Sequence, residues 1–121
     1  ESRLFLLVGG GYIHQINIDT GEYTNLSGQF VGCENLISSL YPGLAYYPEQ
    51  NKIVGWAGGS NIYVLDLKTR QCSSKIIPGI APAHQLLNGT NGRFRYFPAY
   101  KAFVLANDPD QNVYLLKIDS N

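Results

Sequence analysis

A chain of 121 residues has room for one modest domain with its own core, and not for two of ordinary size. Nine Lys and Arg balance nine Asp and Glu at zero formal charge, and only 15% of residues are charged, so no field of one sign exists to gather nucleic acid or an anionic membrane surface. Thirteen Gly and nine Tyr, with no sustained helical period and no run of about 18 apolar residues, exclude a helical membrane span and predict an all-β chain of short strands and tight turns.

The sequence opens on Glu1, contains no Met and shows no legible leader, which leads to the expectation of a processed product or a section of a longer protein. Its first apolar stretch, LFLLVGGGYIHQINIDT from Leu4 to Thr20, consists of two short runs hinged on glycine. Sliding the sequence by 49 positions places this stretch without a gap on Ile53–Thr69, IVGWAGGSNIYVLDLKT. Gly9 and Gly10 then fall on Gly58 and Gly59, Ile13 on Ile62, and Leu7 on Trp56. A slide of 50 places Leu44–Pro48, LAYYP, on Phe94–Pro98, FRYFP, and Ile53-Val54 on Phe103-Val104; after one inserted residue Asn61–Leu65 falls on Asn112–Leu116. The chain therefore carries three copies of one unit, two of them incomplete.

In the middle copy strand A is expected at Gly43–Tyr47, B at Lys52–Ala57, C at Asn61–Leu67 and D at Gln71–Ile77. Pro48–Asn51 supplies the first turn, and Gly58-Gly59-Ser60 the second, where glycine accepts positive φ. The result is a four-stranded antiparallel meander, and periods of about 40 to 50 residues built from such units belong to radial β-sheet repeats. The segmentation is an incomplete unit with strands B, C and D at 1–28, a connection at 29–42, the complete unit at 43–77, a second connection at 78–92, and an incomplete unit with strands A, B and C at 93–121. Strands B and C are apolar on both faces. In strand C, Ile62 and Val64 point one way while Tyr63, Leu65 and Leu67 point the other. A sheet of this kind expects a cover on each side, since a strand with one wet face would alternate apolar with polar.

The segments LVGGGYIHQINIDTGEYTNL and WAGGSNIYVLDLKT resemble kelch-type β-propeller repeats, marked by a diglycine after the second strand and an aromatic-bearing third strand that ends near an acidic or Thr-Gly turn. The C-terminal RFRYFPAYKAFVLANDPDQNVYLLKI is similar to the last blade of secreted, galactose-oxidase-like propellers. The chain departs from the pattern where a Trp usually follows the third strand: Tyr23 and Cys72 stand there instead, and Asp108-Pro109-Asp110 replaces the last glycine pair. The resemblance implies a partial β-propeller of about two and a half blades. A ring needs about four to eight, so the chain is expected to be completed either by upstream sequence or by copies of itself. Contacts between copies that fail to close would give filaments.

The residues offer little that converges on chemistry. Cys33 and Cys72 suit either one disulfide or two buried thiols; the sequons Asn25-Leu26-Ser27 and Asn88-Gly89-Thr90 hint at a secretory route and favour the disulfide, although both Asn residues would also serve polar turns. On the propeller layout Cys33 follows the first blade and Cys72 opens the outermost strand of the second, so adjacent outer edges would bring them together. His14 and His84 are too few for a metal site, and His14 is expected on an interblade surface. Gly9-Gly10-Gly11 lacks the helix and Lys-Ser/Thr of a phosphate loop and reads as a turn. Trp56, Tyr46, Tyr47, Tyr96 and Tyr100 include candidates for stacking on sugar rings, but Trp56 and the Tyr47 and Phe97 pair before proline read as core. Asp19 and Asp66 do not share a register, and Asp108, Asp110 and Asp119 lack calcium-loop spacing, so NDPDQN at 107–112 reads as a polar hairpin loop.

The expected function is that of a noncatalytic extracellular scaffold or interaction module, without a cofactor, that associates with further blades or with copies of itself. Nucleic-acid binding and membrane insertion are not expected. Three alternatives stand beside it: a propeller lectin with a glycan ligand, the C-terminal part of a kelch-propeller oxidase whose catalytic residues lie outside this chain, and a subunit of an extracellular filament.

Overall fold

Strand follows strand through three antiparallel sheets in the computed structural model, which describes residues 3–118. The first sheet holds β1 (Leu4–Gly9), β2 (Tyr12–Asn17) and β3 (Tyr23–Asn25) in that order. A connection carrying the short helix α1 (Glu34–Ser38) leads to the second, with β4 (Gly43–Tyr47), β5 (Lys52–Trp56), β6 (Asn61–Asp66) and β7 (Gln71–Ile76) side by side. A 3-10 turn at Asn91–Arg93 then opens the third, where β9 (Ala102–Leu105) lies between β8 (Phe94–Phe97) and β10 (Tyr114–Leu116). The strand bounds expected for the middle copy agree within a residue with β4 to β7.

The middle sheet is covered on both faces. On one side Val54, Trp56, Ile62 and Val64 pack with Phe94, Phe103 and Leu105 of the third sheet. On the other, Tyr63 and Leu65 pack with Ile13, Leu26 and the α1 residues Leu36 and Ile37. Two glycines permit the close fit. A Cβ on Gly43 would stand 2.7 Å from Phe94 Cβ, and one on Gly55 would stand 2.6 Å from a Leu36 methyl, where no side-chain carbon can sit without displacing its neighbour.

The backbone repeats with the sequence. Among the described residues every non-glycine with positive φ has a counterpart one period away: Tyr41 (51°) and Asn91 (53°), Asn51 (52°) and Lys101 (48°), and Arg70 (62°) with Gly21 (76°). Asn17 and Asp66 start the same turn. Asn17 Oδ1 accepts from the N–H groups of Asp19 and Thr20, and Asp66 Oδ1 from those of Lys68 and Thr69. The Thr69 N–H acts against a smaller cost of burial, and with the Lys68 N–H keeps the Asp66 carboxyl below its ordinary pKa.

Two details depart from the sequence expectation. The gapless slide paired Leu7 with Trp56, but Val8 stands opposite Ile13 on β2, as Trp56 stands opposite Ile62 when the β5–β6 register is continued. Val8 is therefore the counterpart of Trp56, and Ala57 is one extra residue before the glycine pair. Because side chains alternate, that single residue turns β1 over: Leu6 and Val8 face the core, and Leu7 faces outward. The second departure is α1, a single turn whose five residues are too few to show a helical period. Burial of Leu36 and Ile37 holds it.

Cys33 and Cys72 form a disulfide across 39 positions of sequence, with Cα atoms 5.8 Å apart. Backbone already lies along this edge: Val31 bridges to Gln71 in parallel, and Arg70 Nη1 donates to Gln29 Oε1 at 2.7 Å. The bond fastens the segment between the first two sheets to the outer strand of the second. Closing a loop of this length stabilises by about 3 to 4 kcal/mol in the chain-entropy treatment. Replacing both cysteines by Ser is expected to lower the unfolding free energy by about that amount in urea titrations; a loss within error of zero would show that packing alone fixes the segment.

Candidate functional site

The candidate site is an unpartnered surface rather than a cleft. In the first sheet the residues opposite in register are Phe5 with Ile16, Leu7 with His14, His14 with Asn25, and Ile16 with Tyr23. All of these share the face turned away from the core. Phe5 is 51% exposed, Leu7 49%, and Tyr12 and Tyr23 58% each. The Tyr12, His14 and Tyr23 rings stack in series, with centroids 5.7 and 5.4 Å apart, and the Tyr23 hydroxyl bonds His14 Nδ1. A continuous apolar and aromatic face of this kind on a strand pair is what the middle sheet buries.

The third sheet offers a smaller face. Phe97 and Leu115 are exposed there beside the half-buried Val104, with Leu115 opposite Val104 and Val104 opposite Arg95. By the repeat, Leu115 matches Val64, which is buried between sheets. The inward face of the same sheet is closed by rings: Tyr47 of β4 lies 5.5 Å from Tyr96 and 5.4 Å from Phe103, centroid to centroid. Burial, and then its bond to the Glu49 carboxylate, push the Tyr96 phenol up to about 12.

The other residues singled out from sequence are scattered. Trp56 is 2% exposed and its indole N–H donates to Gly59 O at 2.9 Å, so it presents no ring to a ligand. His14 lies on the outer face, whereas His84 lies in the connection after β7, where its carbonyl accepts from Asn107 Nδ2 at 3.1 Å. Among the described residues no three His, Cys, Asp or Glu side chains gather as a metal-holding group. Asp108 Oδ1 accepts from the Asp110 N–H at 2.9 Å and so closes its own turn; Asp119 lies outside the described residues. Gly9, Gly10, Gly58 and Gly59 all have positive φ, and the N–H groups of Gly10 and Gly59 donate to Ser39 O and Pro82 O of the following connection. Asn25 and Asn88 are exposed; Thr90 of the second sequon is fully buried, and its hydroxyl donates to Gln85 Oε1 at 2.7 Å. Tyr46 and Tyr100 are exposed.

Phe97, expected in the core as the partner of Tyr47, is 45% exposed because among the described residues no sheet covers that face, whereas Tyr47 is buried; Phe5, Leu7 and Leu115 were not expected at the surface. Their signal was the same two-faced apolar pattern that marked strand C, and the one-residue slip at Ala57 concealed it in β1. Comparison with protein families, curated proteins and solved structures gave no match for this chain.

Proposed function

We propose that this chain is a noncatalytic interaction module, a kelch-like β-propeller section whose two outer sheet faces stack against further sheets of the same kind. One observation carries this reading: Leu7, Phe97 and Leu115 stand at the repeat positions of Gly55, Tyr47 and Val64, which the middle sheet buries, yet they remain open. Burial of apolar area drives such stacking without any charge pattern, in keeping with a neutral surface. When no further sheets are supplied, copies of the chain are the available partners. Sedimentation of the purified chain is expected to show concentration-dependent association, and Leu7→Glu, which places a charge in the buried face, is expected to weaken it about tenfold or more while leaving Trp56 emission and the β-type circular dichroism unchanged. A strictly monomeric parent at all accessible concentrations would overturn the reading.

An extracellular setting belongs to the same proposal. The Cys33–Cys72 disulfide is compatible with it, and the Asn25 and Asn88 side chains, the points of glycan attachment, are exposed. Secreted material is expected to lose mass on enzymatic deglycosylation, with Asn25→Gln and Asn88→Gln each removing one step. An unchanged intact mass would withdraw the glycoprotein part of the proposal.

A further inference from the structure

The first sheet has a free edge, and its geometry matches a position that is filled in the other two. The Ile18 N–H donates to Arg3 O, so Arg3, Phe5 and Leu7 turn their backbone groups toward β2, and the alternation of an antiparallel pair turns those of Leu4, Leu6 and Val8 outward. No described residue pairs with them along the edge, since β1 ends the sheet. In the second sheet the counterpart strand β5 is covered on that edge by β4, with Tyr47 opposite Lys52, Ala45 opposite Val54 and Gly43 opposite Trp56. In the third, β8 covers β9 in the same way.

A cavity of about 400 Å³ lies beside this edge, between the first and second sheets, lined by Leu4, Leu6, Leu44, Tyr46, Ile53 and their neighbours. Its walls repeat a packing arrangement seen one interface further on. There Tyr47 sits over the cross-strand pair Tyr96 and Phe103. One period earlier the equivalent pair is Tyr46 and Ile53, also directly opposite each other, and no ring of the described residues covers it: Tyr46 is 49% exposed. A strand added to β1 in the register of β4 on β5 would put its Tyr47 counterpart opposite Leu4, facing into this cavity.

We propose that the free edge of β1 and the adjoining cavity form a docking site for an extended peptide from outside these residues, which adds antiparallel to β1 and seats one aromatic side chain on Tyr46 and Ile53. The backbone of the peptide takes up the outward N–H and C=O groups of Leu4, Leu6 and Val8, as strand addition requires. Its side-chain pattern follows from β4: a small residue opposite Leu6, where Ala45 faces Val54, then an aromatic two positions later, followed by proline to end the strand. In a second copy the two strands of this pattern, β4 and β8, are already bonded along one edge to β5 and β9, so the unpaired strand comes from a separate peptide. The proposal rests on the interaction-module reading and deepens it.

The test uses the full chain bearing Leu7→Glu, which alters the outer face and leaves the outward backbone edge intact, and a synthetic peptide with the sequence PGLAYYPE of residues 42–49. Saturable binding is expected, with slowed amide exchange at Leu4, Leu6 and Val8. A peptide in which the Tyr47 position is Ala is expected to bind at least about tenfold more weakly, and one N-methylated at the Ala45 position is expected not to bind. No saturable binding, equal affinity for the Ala peptide, or protection confined to β10 would overturn the proposal. Self-association of the parent chain is read separately by sedimentation, so a monomeric parent that binds the peptide refutes face stacking alone, and an associating parent that ignores it refutes strand addition alone.

Discussion

A strand with apolar side chains on both faces cannot be satisfied by one neighbour, and β6 is such a strand. Ile62 and Val64 are buried toward the third sheet, and Tyr63 and Leu65 toward the first. Each face is closed by a sister sheet of related sequence, so the arrangement of the whole molecule follows from the need to keep one strand dry on two sides. The terminal sheets inherit the same two-faced composition with a neighbour on one side only, which accounts for Phe5, Leu7 and Leu115 at the surface. Exposed apolar side chains here are an effect of the repeat.

The connections do more than join sheets. Segment 29–33 runs along the start of β7, bridges to it at Gln71 and is fastened to it by the disulfide. From there α1 carries Leu36 onto Gly55, and Ser39 O accepts the N–H of Gly10 at the turn between β1 and β2. The later connection repeats that last step with Pro82 and Gly59. At both places a glycine turn meets the backbone of the incoming connection, so the diglycine that looks like a turn signal in sequence also permits a close approach between neighbouring sheets.

Much of this was legible in the residues. The period near 50, the alternation in strand C and the punctuation by Pro48 and Gly58 located β4 to β7 because each local signal agreed with the others. The faces of β1 were not legible, because Ala57 adds one residue ahead of the glycines and a gapless comparison cannot register it. The helix escaped notice because tertiary burial of two side chains, rather than propensity, holds its single turn. Cys33 and Cys72 left a choice between thiols and a bridge, since sequence spacing says nothing about the 5.8 Å between their Cα atoms. The cavity beside β1 was beyond sequence altogether: its walls come from β1, β4 and β5 and take shape only once two sheets are packed together.

The dependence of the molecule on its twice-covered middle sheet is tested most directly by native-state amide exchange followed residue by residue. Amides of β5 and β6 are expected to exchange only through global unfolding, while those of β1, β3 and β10 open at lower free energy because each belongs to a sheet covered on one face. Protection in β6 equal to or weaker than that in β1 would contradict the account.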